Sequence, residues 1–270
     1  MPPAGTPVVF VHGLWLHADS WIPWVDRFRS AGYEPSAPGW PGDAATAEDT
    51  RRNASAVAGF GVGDVVDHYA TIIGGLDRKP IVVGHSFGGL IAQRLLADGF
   101  AAAAVGLDAA PIKGVYFLPP SALRVASIAL RNPLNRNRAV SLTRDQFRYG
   151  FANTLSAKES DELYDRWAIP SPGKPLFEAA LANLMPSSPV KVDTGNAERG
   201  PLLLTAGGKD HTVPASITKQ TLRLYRSSPA VTELMEFPDR GHSLGIDSGS
   251  AEVADAVLAW LDRQSLPGGP

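Results

Sequence analysis

The hydrophobic pattern of the chain alternates between short apolar runs and longer segments with helical spacing. Four runs have the continuous apolar character of buried strands, at 7–11, 80–84, 201–206 and 231–237. Further strands are predicted at 32–37 and 103–108, and helices near 19–30, 62–76 and 87–98. Strands that alternate with helices in this way predict an α/β fold, with a parallel sheet covered by helices on both faces.

This alternation stops at Pro111 and resumes at Pro201. Residues 112–197 contain helical fragments separated by prolines, and no run in them is typical of a buried strand. The pattern therefore predicts a core made of residues 1–111 and 198–270, with a helical insertion between its two parts.

A candidate nucleophile follows the run at 80–84 directly. The sequence there is Gly84-His85-Ser86-Phe87-Gly88, a G-x-S-x-G motif placed between a predicted strand and a predicted helix. A serine at such a junction sits on a sharp turn, and its hydroxyl projects above the edge of the sheet. This motif indicates an activated serine.

Polar groups also follow three other strands. His12-Gly13-Leu14 comes after the first strand, Asp210 after the strand at 201–206, and His242 after the strand at 231–237. The carboxyl ends of parallel strands meet at one edge of the sheet, where ligands and catalytic groups gather. The motifs therefore bring a serine, an acid and a base to one place.

With these motifs, the chain resembles the α/β-hydrolases, in particular their capped serine esterases and lactonases. The similarity runs from Pro7 to about Trp260 and includes the chain order of serine, aspartate and histidine. It implies an α/β-hydrolase fold in which residues 112–197 form a helical cap, or lid, over the nucleophile.

The resemblance also assigns roles to individual residues. Ser86 is expected to be the nucleophile, His242 the base and Asp210 the acid. Asp108 is an alternative acid, because it also ends a predicted strand and some members of the family take their acid from that position. His85 lies within the elbow and is expected to point away from the nucleophile.

Two backbone N–H groups are expected to form the oxyanion hole, those of Leu14 and Phe87. Trp15, next to Leu14, is expected to line the substrate pocket. Aromatic residues of the insertion are further candidates for the pocket, among them Phe147 and Trp167.

The insertion is rich in basic residues at its start. Between Lys113 and Arg148 there are seven basic residues and one acidic residue. Two interpretations remain open: a solvated basic face, or a surface that attracts an anionic substrate.

Composition narrows the function further. The 270 residues include no cysteine, which excludes disulfides, thiolate catalysis and cysteine-bound zinc, and which agrees with a cytoplasmic location. The net charge of −2 gives no basis for nucleic-acid binding, and no apolar run is long enough to span a membrane. No signal-peptide pattern, metal-binding motif or phosphate-binding loop is present, so we expect neither a metal nor a cofactor.

These observations together predict cleavage of a small apolar ester or lactone through an acyl-enzyme. Alternatives on the same triad are a C–C bond hydrolase or an enzyme similar to hydroxynitrile lyases. A ligand receptor derived from the fold is a third possibility. The sequence does not indicate the identity of the substrate or the oligomeric state.

Overall fold

The computed structural model describes residues 5–266, 268 and 269, and its centre is a six-stranded parallel sheet. The described residues form eight strands: β1 (Pro7–Val11), β2 (Glu34–Ser36), β3 (Ile81–His85), β4 (Ala103–Leu107), β5 (Ala139–Val140), β6 (Ser171–Pro172), β7 (Leu202–Gly207) and β8 (Thr232–Phe237). They also form ten α-helices: α1 (Ile22–Ser30), α2 (Ala47–Arg52), α3 (Val62–Gly74), α4 (Phe87–Ala97), α5 (Pro120–Leu130), α6 (Arg144–Gly150), α7 (Ala157–Trp167), α8 (Lys174–Ala180), α9 (Ala215–Leu224) and α10 (Ser250–Arg263). The order in the sheet is β2-β1-β3-β4-β7-β8.

Each face of the sheet is covered by helices, as the side chains of β1 illustrate. Val8 and Phe10 belong to one buried cluster, together with residues of α1 and α10. Val9 and Val11 belong to the opposite cluster, together with residues of α3, α4 and α9. Because side chains alternate along a strand, a strand that is apolar at every position needs a cover on both faces. The predicted fold class is confirmed.

The burial of β8, the strand that precedes His242, differs from the prediction. A buried strand was expected at 231–237, but most side chains of β8 are only partly buried. The reason is its place in the sheet, since β8 lies at the edge and pairs only with β7. Edge strands keep one side open to solvent and tolerate polar residues such as Glu233 and Glu236.

The segment between β4 and β7 is mainly helical and contains α5 to α8. It also contains a pair of two-residue antiparallel strands, β5 and β6, which the hydrophobic pattern did not predict. The division into a core of residues 1–111 and 198–270 and a cap of residues 112–197 stays a prediction. Residues 1–4, 267 and 270 of that division lie outside the described part of the chain.

The length of the helices bears on membrane insertion. A transmembrane helix needs about 20 apolar residues. The longest described helix, α10, has 14 residues. No helix in the described part of the chain is long and apolar enough to cross a bilayer.

Candidate active site

Ser86 lies on the turn that joins β3 to α4. Its backbone has φ 55° and ψ −119°, a combination that costs energy for any residue with a side chain. Two hydrogen bonds from the end of β4 hold this turn. The N–H of Ser86 donates to the carbonyl oxygen of Leu107 at 2.9 Å, and its own carbonyl accepts from the N–H of Ala110 at 2.9 Å. The neighbouring strand therefore fixes the serine in its strained conformation.

The glycines of the motif allow the backbone segments around Ser86 to approach one another. A Cβ atom on Gly84 would overlap the carbonyl oxygen of Gly88. A Cβ atom on Gly88 would overlap the carbonyl oxygen of Val11, at the end of β1. The spacing of the motif is thus a packing requirement of the turn, independent of any chemistry that the serine performs.

The loop after β1 passes directly beside the serine. A Cβ atom on Gly13 would lie 2.8 Å from the Cβ of Ser86. The N–H groups of Leu14 and Phe87 make no hydrogen bond within the part of the chain that the structure describes. Phe87 is the first residue of α4, where the positive end of the helix dipole favours negative charge. Both groups therefore have no acceptor among the described residues, and the oxyanion hole that they would form stays a prediction.

The same loop is attached to the segment between β4 and β7. The N–H of Trp15 donates to Oγ of Ser171 at 2.6 Å, and its carbonyl accepts from the N–H of Ile169 at 3.1 Å. Leu16 and Ala168 form an isolated antiparallel bridge. Trp15 itself has φ 66°, so the backbone direction beside Leu14 depends on these attachments.

His242 and Asp210 form a buried pair. Nδ1 of His242 lies 2.6 Å from Oδ2 of Asp210, and the other oxygen of Asp210 accepts from the N–H groups of Thr212 and Val213 at 2.6 and 2.9 Å. Burial favours a raised pKa for Asp210, but the charge and the hydrogen bond of His242 outweigh it and keep the pKa below its ordinary value. Asp210 is therefore an ionised carboxylate that orients the imidazole.

The second ring nitrogen of His242, Nε2, is buried. It makes no hydrogen bond to any described residue, and this includes the hydroxyl of Ser86. Hydrogen bonds between a catalytic base and its nucleophile are often long in a resting enzyme and shorten when substrate binds. With Nδ1 held by Asp210, Nε2 is the nitrogen left to accept a proton.

The ring of His85 supports His242 from the nucleophile strand. The centroids of the two rings lie 4.5 Å apart, and Nε2 of His85 lies 2.8 Å from the carbonyl oxygen of His242. Burial, with a smaller contribution from His242, lowers the pKa of His85 to about 3. His85 is thus neutral and donates to the backbone of the base. The position of His85 at the variable site of the G-x-S-x-G motif does not predict its contact with His242.

A second carboxyl group, that of Asp108, lies next to the pair. Asp108 follows β4, is fully buried and has φ 43°. Its Oδ1 accepts from the N–H of Gly207 at 2.9 Å. Burial and the adjacent charge of Asp210 raise the pKa of Asp108 well above its ordinary value. The alternative acid thus lies beside the site, although Nδ1 of His242 donates its hydrogen bond to Asp210.

These three side chains also satisfy a simple criterion for a metal site. Among the described residues, Asp108, Asp210 and His242 are the group whose possible ligand atoms lie within 4.8 Å of one another. However, the hydrogen bond between Nδ1 and Oδ2 requires a proton on that nitrogen, and a nitrogen that binds a metal cannot carry one. The arrangement fits an acid–base pair better than a metal centre.

A cavity of about 230 Å³ opens at Ser86. Aliphatic residues of α5 and α8 form nearly half of its lining, and none of the described side chains that line it is charged. Its other lining residues include Trp15, Phe87, Thr212, Val213 and Ile217. A larger groove of about 600 Å³ runs past Lys209 and Asp239, but Ser86 is not among the residues that line it. The cavity at Ser86 is therefore the one that can present a substrate to the serine.

Residues 8–256 match the alpha/beta hydrolase family. The chain belongs to this family. No curated protein sequence matches the chain.

Solved structures share the fold of this α/β-hydrolase over nearly the whole chain. A methylesterase from Arabidopsis is 16% identical to this chain, with a TM-score of 0.66. The match covers 96% of this chain and 99% of the methylesterase. An extracellular α/β-hydrolase from a Paenibacillus species is 19% identical with a TM-score of 0.67, covering 94% and 98%. A pyrethroid hydrolase from Sphingobium faniae is 16% identical with a TM-score of 0.63, covering 95% and 97%. Because the identities are only 16–19%, these similarities show that the fold is shared and nothing further.

Two of the three predicted pocket residues lie away from the cavity of this α/β-hydrolase. Trp15 lines it, but Phe147 and Trp167 do not. Phe147 is fully buried and stacks on Phe151, with ring centroids 5.1 Å apart. Trp167 is buried, and its carbonyl accepts from the N–H of His17 at 3.0 Å. Both large rings are buried away from the cavity, which smaller aliphatic residues line instead.

Two of the seven basic residues form ion pairs within the described part of the inserted segment. Arg144 pairs with Asp165, and Arg148 with Asp161 at 3.0 Å. Both acids belong to α7, which packs against α6. The guanidinium of Arg124 lies 3.9 Å from the centre of the Tyr149 ring. These contacts account for three of the seven basic residues, and both interpretations, a solvated basic face and attraction of an anionic substrate, stay open.

Proposed function

We propose that this α/β-hydrolase is a serine hydrolase that cleaves a small, neutral carboxylic ester or lactone. The observation that carries the proposal is the position of Ser86, on a strained turn at the mouth of an apolar cavity. The buried pair of His242 and Asp210 supports it. The proposal is also supported by two proteins of similar fold, which are described as a methylesterase and a pyrethroid hydrolase.

In the first step, the hydroxyl oxygen of Ser86 attacks the carbonyl carbon of the ester. Nε2 of His242 takes the hydroxyl proton as the bond forms, and Asp210 stabilises the imidazolium that results. The negative charge that develops on the carbonyl oxygen is held by the N–H groups of Leu14 and Phe87. The imidazolium then returns its proton to the alcohol oxygen as the C–O bond breaks, which leaves an acyl group on Ser86.

In the second step, water replaces the alcohol. His242 takes a proton from the water, the oxygen of the water attacks the acyl carbon, and the proton passes to Ser86 as the acid is released. In a lactone the alcohol and the acid belong to one molecule, so the product is a single hydroxy acid. No step uses a metal or a cofactor.

The cavity supports a substrate with a neutral aliphatic group. The alanines of α5 and α8 leave the space at Ser86, and an uncharged wall favours an uncharged chain. We infer that residues 112–197 act as a lid over Ser86, since α5 and α8 supply much of this wall. A cytoplasmic location stays our expectation from the absence of cysteine.

The experiment is a panel of nitrophenyl esters and aliphatic lactones of increasing chain length, with Ser86→Ala and His242→Ala beside the parent protein. We expect a burst of nitrophenol from the parent, and a loss of roughly 10⁴-fold or more in kcat for either variant. A serine-directed phosphonate should label one residue, Ser86.

Hydrolysis by Ser86→Ala at the parent rate would contradict the proposal. Cleavage of a cyanohydrin or a C–C bond, with no ester or lactone turned over, would favour the other chemistries on the same triad. Binding of a ligand without turnover would favour a receptor.

A further inference from the structure

Two carboxyl groups share the buried space behind the base. Carboxyl oxygens of Asp108 and Asp210 lie within 4.8 Å of each other and of a ring nitrogen of His242. Both oxygens of Asp210 have protein donors, His242 on one and the N–H groups of Thr212 and Val213 on the other. Asp108 differs. Its Oδ1 has the N–H of Gly207, but its Oδ2 is buried and has no donor among the described residues.

The charges around this pair do not balance if both carboxyl groups are ionised. Among the described residues, the titratable groups with ligand atoms within 4.8 Å of the Asp108 carboxyl are Asp210 and His242. No lysine or arginine in the described part of the chain forms an ion pair with Asp108 or Asp210. Two carboxylates beside a single imidazole would leave a buried negative charge without a partner, which is strongly unfavourable. A proton between the two groups removes that cost.

We propose that Asp108 is a protonated carboxylic acid that donates a hydrogen bond to the carboxylate of Asp210, and that it thereby sets the basicity of His242. Asp108 is a positioning residue in this scheme, because it acts on the base through Asp210. The inference deepens the proposed function, on which its catalytic consequence rests.

Three observations support the direction of this hydrogen bond. The Oδ2 atom without a donor becomes a donor itself when it is protonated. Burial and the charge of Asp210 raise the pKa of Asp108, whereas the pKa of Asp210 is lowered, so the proton belongs on Asp108. Both oxygens of Asp210 already accept from N–H groups of the protein, as those of a carboxylate do, so Asp210 is the acceptor of the pair.

The two possible states of Asp108 affect His242 in opposite directions. A neutral donor withdraws charge from Asp210, so its removal makes His242 easier to protonate. An ionised Asp108 would instead add negative charge near His242, so its removal would make His242 harder to protonate. The sign of the change therefore identifies the protonation state.

The test compares Asp108→Ala, which removes the donor, with Asp108→Asn, which keeps a neutral N–H donor of similar shape. For Asp108→Ala we expect the acidic limb of the kcat/KM profile to move up by about 0.5–1 pH unit. For Asp108→Asn we expect it to stay within about 0.3 pH unit of the parent. A downward shift in both variants would overturn the proposal, because it would mean that the parent Asp108 is ionised.

Two measurements keep the test independent of turnover and of the alanine variant. Titration of the His242 ring by NMR should show the same shifts in proteins that carry Ser86→Ala, so a failure of the proposed hydrolase activity would not affect it. Infrared difference spectra at neutral pH should show the carbonyl band of a protonated carboxylic acid in the parent and not in Asp108→Asn. Absence of that band from the parent would also overturn the proposal.

Discussion

Oδ2 of Asp210 lies 2.6 Å from Nδ1 of His242, and neither side chain is exposed to solvent. This contact joins the loop after β7 to the loop after β8, two strands that pair along their length. It fixes both the tautomer of the imidazole and the direction of its free nitrogen. The base can therefore act only towards the side on which Nε2 lies.

Loss of the carboxylate at Asp210 should disable the base without unfolding the protein. We expect Asp210→Asn to lower kcat by roughly 10²–10⁴-fold, because the imidazolium loses its charge partner and the amide favours the wrong tautomer. Steady-state kinetics with an ester that the parent cleaves would measure this. Asp239→Asn is the matched control, because Asp239 also lies near His242 in sequence but pairs with Lys209 at the surface. A larger loss in Asp108→Asn than in Asp210→Asn would assign the acid to the earlier strand.

The stability of the protein should depend on pH through Asp108. Its pKa is raised in the folded state, so the folded protein holds a proton that the unfolded chain releases above its ordinary pKa of about 3.9. The contribution of Asp108 is therefore fully present below that pH and is lost as the pH rises towards the folded pKa. Asp108→Asn has no such dependence. We expect its Tm to gain about 2–4 °C per pH unit relative to the parent between pH 5 and 7.

Thermal unfolding followed by circular dichroism would measure this difference. Asp239→Asn again serves as the control, because Lys209 lowers the pKa of Asp239, and the stability from that pair is lost only as the pH falls through the folded pKa. Its Tm relative to the parent should stay nearly constant between pH 5 and 7. A flat difference for Asp108→Asn as well would argue against a proton held by Asp108.

The alanines that line the cavity should set the length of the chain that fits. Ala126 lies on α5 and lines the cavity, so Ala126→Leu should fill part of the 230 Å³ beside Ser86. We expect the ratio of kcat/KM between a medium-chain and an acetyl ester to fall roughly 10-fold or more. Ser127→Leu is the control, because Ser127 is the next residue of the helix but is exposed. Equal ratios in both variants would place the acyl chain outside this cavity.

The packing of the elbow should make Gly88 intolerant of any side chain. A Cβ there would overlap the carbonyl oxygen of Val11, so Gly88→Ala should lower the free energy of unfolding by about 3 kcal/mol or more. Gly63→Ala is the control, since a Cβ on this residue of α3 would meet nothing within 4 Å. That change should instead stabilise the protein by about 0.5–1 kcal/mol. Denaturant titrations would measure both, and a mild loss in Gly88→Ala would show that the elbow relaxes.

The sequence was sufficient to predict the sheet and the residues at its carboxyl edge. Continuous apolar runs such as 80–84 identify strands covered on both faces, and the edge of a parallel sheet then collects whatever follows each strand. Ser86, Asp210 and His242 each follow a strand of this sheet for this reason, and their shared catalytic role stays a prediction. The partial burial of β8 is not predicted, because its apolar pattern does not show that it lies at the edge of the sheet.

The walls of the cavity were harder to predict than its chemistry. The prediction that Phe147 and Trp167 line the pocket rests on the fact that aromatic rings commonly line pockets. Large aromatic rings are, however, also the side chains that bury the most apolar surface in a core. The residues that form the space, such as Ala122 and Ala126, matter because they are small. A small residue leaves no distinct signal in a hydrophobic pattern. The contact of His85 with His242 joins residues far apart in the chain, which no local pattern reports.

The attachment of Trp15 and Leu16 to residues 168–171 divides the inserted segment into two parts with different freedom to change during evolution. The part that holds this loop helps to position a backbone donor for the reaction, so exchanging it between relatives would disturb the chemistry as well as the fit. Helices α5 and α8 take no part in that attachment. We therefore expect that substitutions in α5 and α8 alone can change the substrate preference, whereas transplanting the whole segment would also lower the activity of the recipient.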